Sequence, residues 1–295
     1  MKNLYFKLAY RYDDVKKCYA GEIVKPLSAT IFPSEICNLR CIYCHSESIH
    51  DGGLMSWDAY KKCLDELKEF GIKAIALEGG GEPMLNPHIG KFINYAKELG
   101  LKIGILTNGT IYIDEMLEAD WIRISLDVPR KDVFNYIKQP FDDGVWDVVI
   151  SNIKKLVANK PKSLTVGVKF MLSQYWRNKD ACKQFADELG VDYHQEKYVR
   201  NHESSLVDSL AKKEEPCKLS SLKVVLDYDG TYYICPFFHH NKEMKIGKGN
   251  INKLWGGVKH KKAIAGISPD KCVLYDCPMR NIQLDRIENS HLEWI

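Results

Sequence analysis

Apolar segments typical of buried strands alternate with segments of helical periodicity from residue 27 to residue 200. The strand-like segments are short and almost continuously apolar, which is the pattern of strands covered by helices on both faces. They are Leu27–Phe32, Ile72–Leu77, Leu101–Leu106, Trp121–Leu126, Leu164–Leu172 and Val191–Tyr198. The predicted helices are Trp57–Phe70, Ile89–Leu99, Val145–Val157 and Ala181–Leu189. Six β-then-α units predict an α/β fold, whose parallel sheet can curl into a partial or complete barrel because such crossovers are right-handed.

The pattern changes after residue 200. Residues 201–215 are polar and charged and precede a proline, so they are predicted to form a linker. The tail beyond them contains one predicted hairpin, in which Leu222–Asp227 and Thr231–Ile234 flank a turn at residues 228–230. We therefore predict an N-terminal extension over residues 1–26, a barrel over 27–205 and a small C-terminal domain over 206–295. A domain this small buries a limited core, so a bound metal group is expected to stabilise it.

Composition and charge exclude several classes of protein. With 45% apolar and 27% charged residues, the 295-residue chain has the composition of a soluble globular enzyme. A net charge of +3 is too small to indicate a nucleic acid or a membrane as a partner. No segment approaches the ~18 consecutive apolar residues of a membrane span, and the first 32 residues lack the apolar stretch of a signal peptide. We expect a cytoplasmic protein.

Three of the ten cysteines, Cys37, Cys41 and Cys44, lie within eight residues, directly after the first predicted strand. A reducing cytoplasm disfavours structural disulfides, so ligation of a soft metal or an iron–sulfur cluster is the better explanation for them. Three thiolates can hold three irons of a four-iron cubane and leave the fourth iron open. The alternative is a zinc knuckle completed by His45 or a distant cysteine, although zinc sites usually combine paired two-residue spacings.

Three further motifs follow the second, third and fourth predicted strands. They are Gly79-Gly80-Gly81-Glu82-Pro83, Thr107-Asn108-Gly109 and Ser125-Leu126-Asp127. Together with the cysteine spacing and the aromatic Tyr43 before the last cysteine, they resemble the radical S-adenosylmethionine superfamily over about residues 27–200. The resemblance implies a partial (β/α)6 TIM-like barrel with its active site at the carboxyl ends of the strands. It also implies a [4Fe-4S] cluster on Cys37, Cys41 and Cys44 that binds S-adenosylmethionine.

The resemblance also implies which residues contact S-adenosylmethionine. They are Tyr43, Gly79, Gly80, Gly81, Glu82, Asn108, Ser125 and Asp127. Glycines lack a Cβ, so their backbone amides can approach a ligand closely, and Glu82 offers a carboxylate to the ammonium group. A dinucleotide-binding fingerprint is the alternative for the glycine run, but Pro83 and Pro87 stand where that motif would open a helix. Turn-forming residues at strand ends are the alternative for Asn108, Ser125 and Asp127.

Four cysteines in the tail carry a second resemblance. They are Cys217, Cys235, Cys272 and Cys277. Their arrangement resembles the shortened, Twitch/SPASM-like tail of the same superfamily, which holds one auxiliary [4Fe-4S] cluster, although four residues separate the last two cysteines where closer spacing is usual. A cluster with four thiolates has no open iron and is suited to electron transfer. A structural zinc ribbon is the alternative.

The two resemblances together imply a reaction. Reductive cleavage of S-adenosylmethionine, with electrons from a flavodoxin- or ferredoxin-type donor, would give methionine and a 5′-deoxyadenosyl radical that takes a hydrogen atom from the substrate. An auxiliary cluster that accepts a second electron favours net dehydrogenation. Lys169, Glu196 and Lys197 are charged residues in otherwise apolar strands and are the candidate catalytic groups.

The expected substrate class depends on the segment before the cysteine motif. Peptide-modifying members of the superfamily usually carry a recognition domain there, and 36 residues are too few for one. A small substrate is therefore expected, such as a sugar, an aminocyclitol or a nucleotide-linked sugar. The alternatives are an epimerase, in which Cys182 could donate hydrogen, a peptide maturase, and a non-catalytic iron–sulfur or zinc scaffold.

Overall fold

The structure is a computed structural model that describes residues 10–44, 46, 52–198, 217–236 and 241–267. Several sequence-based expectations lie outside these residues. They concern the proposed ligands Cys272 and Cys277, the alternative zinc ligand His45, and the linker over residues 201–215.

Six parallel strands form the main part of one sheet. They are β1 Ser28–Ile31, β2 Ala74–Leu77, β3 Lys102–Thr107, β4 Trp121–Asp127, β5 Thr165–Leu172 and β6 Tyr193–Tyr198. Each strand pairs in parallel with the next one along the chain, so the carboxyl ends of all six lie along one edge. In the described part of the chain β6 pairs only with β5, so the sheet is not closed. The prediction of an α/β fold with a partial barrel is confirmed.

Helix α1, Tyr12–Tyr19, precedes the first strand. Five later helices cover the outer face of the sheet and enclose the core: α2 Trp57–Phe70, α3 Ile89–Glu98, α4 Lys131–Lys138, α5 Val145–Asn159 and α6 Lys179–Leu189. Alternate strand residues face them, and Ile105, Ile124 and Val168 on three neighbouring strands are completely buried. The other strand residues face the barrel interior, and several of these are charged. The interior is therefore where a polar ligand can be bound.

The sequence patterns do not predict helix α4. It lies between Pro129 and Pro140 and has only eight residues, too few for periodicity to distinguish a helix from a loop. Val133, Phe134 and Ile137 bury one face of it, and its last residue, Lys138, is 3% exposed. A buried lysine at the end of this helix brings a positive charge to the carboxyl edge of the sheet.

The tail continues the barrel sheet. Strand β7, Val224–Leu226, pairs in parallel with β1, and β8, Thr231–Tyr233, and β9, Lys245–Lys248, follow in antiparallel order. The predicted hairpin is present as β7 and β8. Helices α7, Ile251–Leu254, and α8, Val258–Ala265, complete the described tail, which shares one nine-stranded sheet with the barrel.

The N-terminal extension packs on the tail. Val15 and Cys18 of α1 form a small buried cluster with Leu219 and Leu222, and the Cys18 Sγ lies 3.2 Å from the Ser221 Oγ. This helix is therefore attached to the start of the tail. In the part of the chain that the structure describes, no helix combines the length and the apolar character needed to cross a membrane.

Candidate active site

The loop after β1 carries the three cysteines of the first motif, Cys37, Cys41 and Cys44, all of them partly exposed. This cysteine loop is bound to the C-terminal end of α4. The Arg40 N–H donates to the carbonyl of Lys138 at 3.0 Å, and the Ile42 N–H donates to the carbonyl of Ile137 at 2.9 Å. The last carbonyls of a helix lack partners within it, so α4 offers free acceptors that anchor the loop.

The thiols of this loop fit an iron–sulfur cluster. Burial raises the pKa of Cys37 to about 11, and burial also raises the pKa of Cys41 despite the nearby ammonium group of Lys138. Such thiols lose their protons at neutral pH only when a metal takes the proton's place. Among the described residues, no three Cys, His, Asp or Glu side chains are arranged to hold a single metal ion. The donor set of three thiols on one short loop suits a cluster, which distributes its thiolates over separate irons.

The glycines after β2 pack against the segment that leads into the cysteine loop. A Cβ on Gly80 would lie 2.1 Å from the Glu35 carboxylate, and a Cβ on Gly81 would lie 2.2 Å from the carbonyl oxygen of Ile36. The Glu82 N–H donates to that same carbonyl at 2.8 Å, and the Gly81 N–H donates to another carbonyl of the segment at 3.0 Å. The Gly81 and Glu82 amides thus bond within the protein, and the absent Cβ atoms allow the two loops to pack closely.

Replacing Gly81 with alanine is expected to displace the cysteine loop. The new Cβ would meet a backbone carbonyl, which cannot rotate away, and overpacking of this kind costs about 1–3 kcal/mol. We expect the variant to bind less iron on anaerobic reconstitution and to unfold at a lower urea concentration. Gly79→Ala should be milder, because its Cβ would stop 3.0 Å from the Ser34 carbonyl oxygen.

Gly144→Ala is the matched control for the Gly81 variant. Its Cβ would lie 2.8 Å from the carboxylate of Asp142, a side-chain group that can rotate away. Full iron content and unchanged stability in Gly81→Ala would show that the cysteine loop does not depend on this close approach.

Glu82 joins the second motif to the third. Its buried carboxylate accepts hydrogen bonds from the Thr107 Oγ1 at 2.5 Å, the Asn108 N–H at 2.6 Å and the Met84 N–H at 3.2 Å. Burial raises the pKa of Glu82 to about 7, against the lowering effect of these hydrogen bonds. The sequence-based expectation was a carboxylate offered to an ammonium group. Through these hydrogen bonds Glu82 holds the loop after β2 to the end of β3, and its contact with an ammonium group stays a prediction.

Asn108 connects the third motif to the cysteine loop. Its Nδ2 donates to the Asn38 Oδ1 at 2.8 Å, and its Oδ1 accepts from the Thr110 N–H at 2.9 Å. The Asn38 Nδ2 in turn donates to the Thr110 Oγ1 at 2.8 Å, so hydrogen bonds connect all three residues with one another. Asn38 follows Cys37 directly, so these bonds fix the start of the cysteine loop. Asn108 lies at the expected edge of the sheet, with its side chain bonded inside the protein.

Asp127, at the end of β4, is the centre of a buried charge network. Its carboxylate lies 2.5 Å from the Lys138 Nζ and 3.3 Å from the Lys169 Nζ, and the Tyr43 Oη donates to it at 2.9 Å. Burial would raise the pKa of Asp127, but the two ammonium groups outweigh burial and lower it. Its backbone φ is 72°, a left-handed conformation that is uncommon outside glycine. Because Tyr43 precedes Cys44, the network holds the end of the cysteine loop.

Ser125 lies on β4 two residues after Arg123 and therefore on the same, interior face of the sheet. It is partly exposed and stands opposite Lys169 of β5 in the strand register. The structure thus brings all the motifs together at one edge, and hydrogen bonds or ion pairs join the cysteine loop, the loops after β2 and β3, and the end of β4.

The three candidate catalytic residues do not share one face of the sheet. Lys169 of β5 pairs in register with Gln195 of β6, so Gln195 and Lys197 face the interior together with Lys169. Glu196 faces the helices, where its carboxylate lies 3.9 Å from the Nζ of Lys179 on α6. Lys169 and Lys197 are kept as candidates, whereas Glu196 lies on the opposite side of the sheet from the site.

The remaining described cysteines lie away from the barrel interior or beside the tail sheet. Cys217 precedes a 3₁₀ helix, Lys218–Leu222, and Cys235 follows β8; both are partly buried against the main core. Cys182 on α6 is completely buried, with the Trp176 Nε1 3.3 Å from its sulfur, and burial raises its pKa to about 11. Cys63 is partly buried on α2.

Three residues of the site are absent from the sequence-based expectations. They are Asn38, Arg123 and Lys138. Lys138 gave no signal because α4 is not predicted, and Asn38 could have been noticed only through its place between two cysteine ligands. Arg123 is a charge in an apolar strand, the same signal that indicated Lys169, and could have been found by it.

The fold and this site define an open barrel whose cysteine loop lies at the carboxyl edge of its sheet. Residues 31–174 match the family model described as the Radical SAM superfamily. That segment starts in β1, ends just after β5 and contains all the barrel motifs. These residues therefore form a radical SAM domain.

Curated relatives match this chain over part of their length. A GTP 3′,8-cyclase from Clostridium perfringens is 34% identical over 138 residues, which are 43% of this chain and 41% of that protein. A probable GTP 3′,8-cyclase from Methanococcus maripaludis is 32% identical over 40% of this chain and 41% of that protein. AlbA, an antilisterial bacteriocin subtilosin biosynthesis protein from Bacillus subtilis, is 33% identical over 34% of this chain and 22% of that protein. The match therefore spans less than half the length of each of these relatives.

Solved structures resemble the whole described fold. SuiB from Streptococcus suis, bound to the precursor peptide SuiA, has a TM-score of 0.67 at 15% identity and covers 90% of this chain and 73% of that chain. The enzyme anSMEcpe with bound AdoMet has a TM-score of 0.60 at 17% identity, over 81% of this chain and 83% of that chain. At these identities the likeness shows the fold.

Proposed function

We propose that this chain cleaves S-adenosylmethionine at a [4Fe-4S] cluster on Cys37, Cys41 and Cys44 and dehydrogenates a small substrate. A second [4Fe-4S] cluster on Cys217, Cys235, Cys272 and Cys277 would accept the second electron. The observation that carries the proposal is the convergence of the barrel motifs on the cysteine loop. When bound and reduced by a flavodoxin- or ferredoxin-type donor, the first cluster would supply the electron that splits S-adenosylmethionine into methionine and the 5′-deoxyadenosyl radical.

The substrate would lose a hydrogen atom to that radical and then one electron and one proton, which is a two-electron oxidation. The interior lysines are suited to take the proton. Burial lowers the pKa of Lys169, and burial with the nearby cations lowers the pKa of Lys197 to about 8. A neutral amine is the form that accepts a proton, and a lowered pKa makes that form accessible near neutral pH.

The cysteines outside the two ligand groups support oxidation over epimerisation. An epimerase must return a hydrogen atom to the substrate, typically from a thiol near it. Cys182, the candidate donor, is completely buried on α6. Cys18 is a buried residue of α1, and Cys63 lies on α2. Helices α2 and α6 cover the outer face of the sheet, so these thiols do not face the interior.

The proposal is tested on anaerobically reconstituted enzyme given dithionite and S-adenosylmethionine. We expect a brown protein with about eight irons per chain that forms 5′-deoxyadenosine. Aminocyclitols and nucleotide-linked sugars are then screened for stimulation of that product. Iron-loaded protein that forms no 5′-deoxyadenosine would contradict the assigned reaction.

Replacing Cys235 with alanine is expected to remove the tail cluster and to separate the two half-reactions. The variant should lose about four irons per chain and still cleave S-adenosylmethionine, but it should no longer release oxidised substrate, because the electron acceptor is gone. Iron analysis and product analysis on the same sample measure both effects. Cys63→Ala is the matched control, since that thiol lies on α2. Retention of all iron in Cys235→Ala would contradict the tail assignment.

The mass of the product distinguishes dehydrogenation from epimerisation. In deuterated water we expect the true substrate to yield a product two mass units lighter, because two hydrogens leave and none returns. A product of inverted configuration that gains one solvent deuterium would identify an epimerase instead.

Peptide modification is the second candidate. AlbA is a bacteriocin biosynthesis protein by name, and SuiB, bound to a precursor peptide, resembles the described fold over 90% of this chain. The GTP 3′,8-cyclases are equally similar in sequence and act, by name, on a nucleotide. Short acidic peptides should therefore be included in the screen, and stimulation by a peptide alone would favour this candidate.

A further inference from the structure

The barrel interior carries cations that the motifs do not explain. Arg123 on β4 faces the interior together with Gln195 and Lys197 of β6, and its Nη1 donates to the Gln195 Oε1 at 2.9 Å. Glu78, one residue beyond β2, lies within electrostatic range of Arg123 and Lys197. Lys223, directly before β7, lies within electrostatic range of Glu78 and Lys197.

Cations outnumber carboxylates in this interior. Around Arg123 three cations, Arg123, Lys197 and the exposed Lys223, stand against the carboxylate of Glu78, which leaves two positive charges uncompensated. Asp127 already forms ion pairs with Lys138 and Lys169. The pKa of Lys197 falls to about 8, first through burial and then through Arg123 and Lys169, which shows the mutual repulsion. A bound anion would relieve that repulsion.

Two aromatic rings lie at the opposite end of the interior from the cysteine loop. A Cβ on Gly104 would lie 2.3 Å from the Trp121 indole, and a Cβ on Gly167 would lie 2.4 Å from the Tyr193 ring, so each ring occupies the space over a glycine. Beside this aromatic floor, the Arg123 Nε and the Tyr193 Oη are buried and have no hydrogen-bond partner among the described residues. One guanidinium donor of Arg123 is therefore unused beside the aromatic floor.

We propose that Arg123, Lys197 and Lys223 bind a phosphoryl or pyrophosphoryl group of the substrate. The inference rests on the proposed function and narrows its substrate class to phosphorylated compounds such as nucleotide-linked sugars. An excess of two positive charges suits a doubly charged group better than a single carboxylate, and a guanidinium fork matches phosphate oxygens. With an anion beside Lys197, that lysine keeps its proton, and Lys169 is left as the proton acceptor.

The test measures the binding of inorganic pyrophosphate by calorimetry to reconstituted holoenzyme that holds S-adenosylmethionine. We expect wild type to bind pyrophosphate, and Arg123→Gln and Lys197→Gln each to weaken it at least about tenfold, because each removes a charge-assisted contact. Arg123→Lys should recover part of the loss. Lys131→Gln, an exposed lysine paired with Asp147, is the matched control and should leave binding unchanged.

Three results would overturn the inference. Wild type fails to bind pyrophosphate, or citrate binds as tightly as pyrophosphate, or the variants weaken S-adenosylmethionine binding in place of pyrophosphate binding. The last outcome would mean that these cations bind the carboxylate in the methionine part of S-adenosylmethionine. Assay of 5′-deoxyadenosine in the same samples separates the two proposals: pyrophosphate binding without cleavage contradicts the proposed function, and cleavage without pyrophosphate binding contradicts the anion site alone. Thermal unfolding of each variant shows whether it is folded.

Discussion

Replacing Cys37, Cys41 and Cys44 together with alanine should abolish the formation of 5′-deoxyadenosine and remove about four irons per chain. The three thiols share one loop, and two of them have raised pKa values, so they carry little negative charge unless a metal binds. Iron, sulfide and 5′-deoxyadenosine are measured in wild type and in the variant after identical anaerobic reconstitution.

The matched control is Cys63→Ala, which removes one thiol from α2 and should keep the full iron content. The triple variant should retain about four irons per chain, because the tail cysteines that would hold them are unchanged. A triple variant that kept all its iron, or still formed 5′-deoxyadenosine, would show that the cluster lies elsewhere in the chain.

The strands were predictable because burial on both faces leaves a strong pattern in the sequence. Predicted and observed strands agree to within a few residues, from β1 at Ser28–Ile31 to β5 at Thr165–Leu172. Helix α4 was not predictable, because its eight residues between two prolines are too short for a helical pattern. Because α4 was not predicted, Lys138, which belongs to this helix, was not recognised as a residue of the site.

The places of the motifs after the strands could be read from the sequence, but the hydrogen bonds of their side chains within the protein could not. Glu82 was predicted to contact a ligand, and nothing in the sequence indicated its hydrogen bonds to Thr107 and Asn108. Those partners lie 25 and 26 residues away and meet Glu82 only because β2 and β3 are neighbours in the sheet. Side-chain partners of this kind depend on tertiary packing, which no local pattern encodes.

The faces of β6 show an inference that the sequence allowed in part. Successive strand residues point to opposite faces, so Glu196 and Lys197 could not both face the interior. The alternation alone does not say which of them does. The register with β5, in which Lys169 stands opposite Gln195, decides for Lys197.

Replacing Lys138 with methionine should lower the free energy of unfolding by about 3 kcal/mol, because removing one partner of a buried ion pair leaves the other charge uncompensated. Lys138 and Asp127 are almost completely buried, with 2.5 Å between Nζ and Oδ2. The value lies at the lower end of the usual 3–5 kcal/mol range because Lys169 still contacts Asp127, at 3.3 Å. Urea denaturation before reconstitution measures the change.

A double variant shows whether the loss comes from the stranded carboxylate. Asp127→Asn combined with Lys138→Met removes both charges, so its cost should be smaller than the sum of the two single costs. Lys131→Met is the matched control, since its ion pair with Asp147 is exposed and such pairs contribute about 0–1 kcal/mol. If the single costs simply add, or if Lys138→Met costs no more than Lys131→Met, then Asp127 does not depend on Lys138. The hydrogen bond from Tyr43 to Asp127, one of those that hold the cysteine loop, would then be independent of this ion pair.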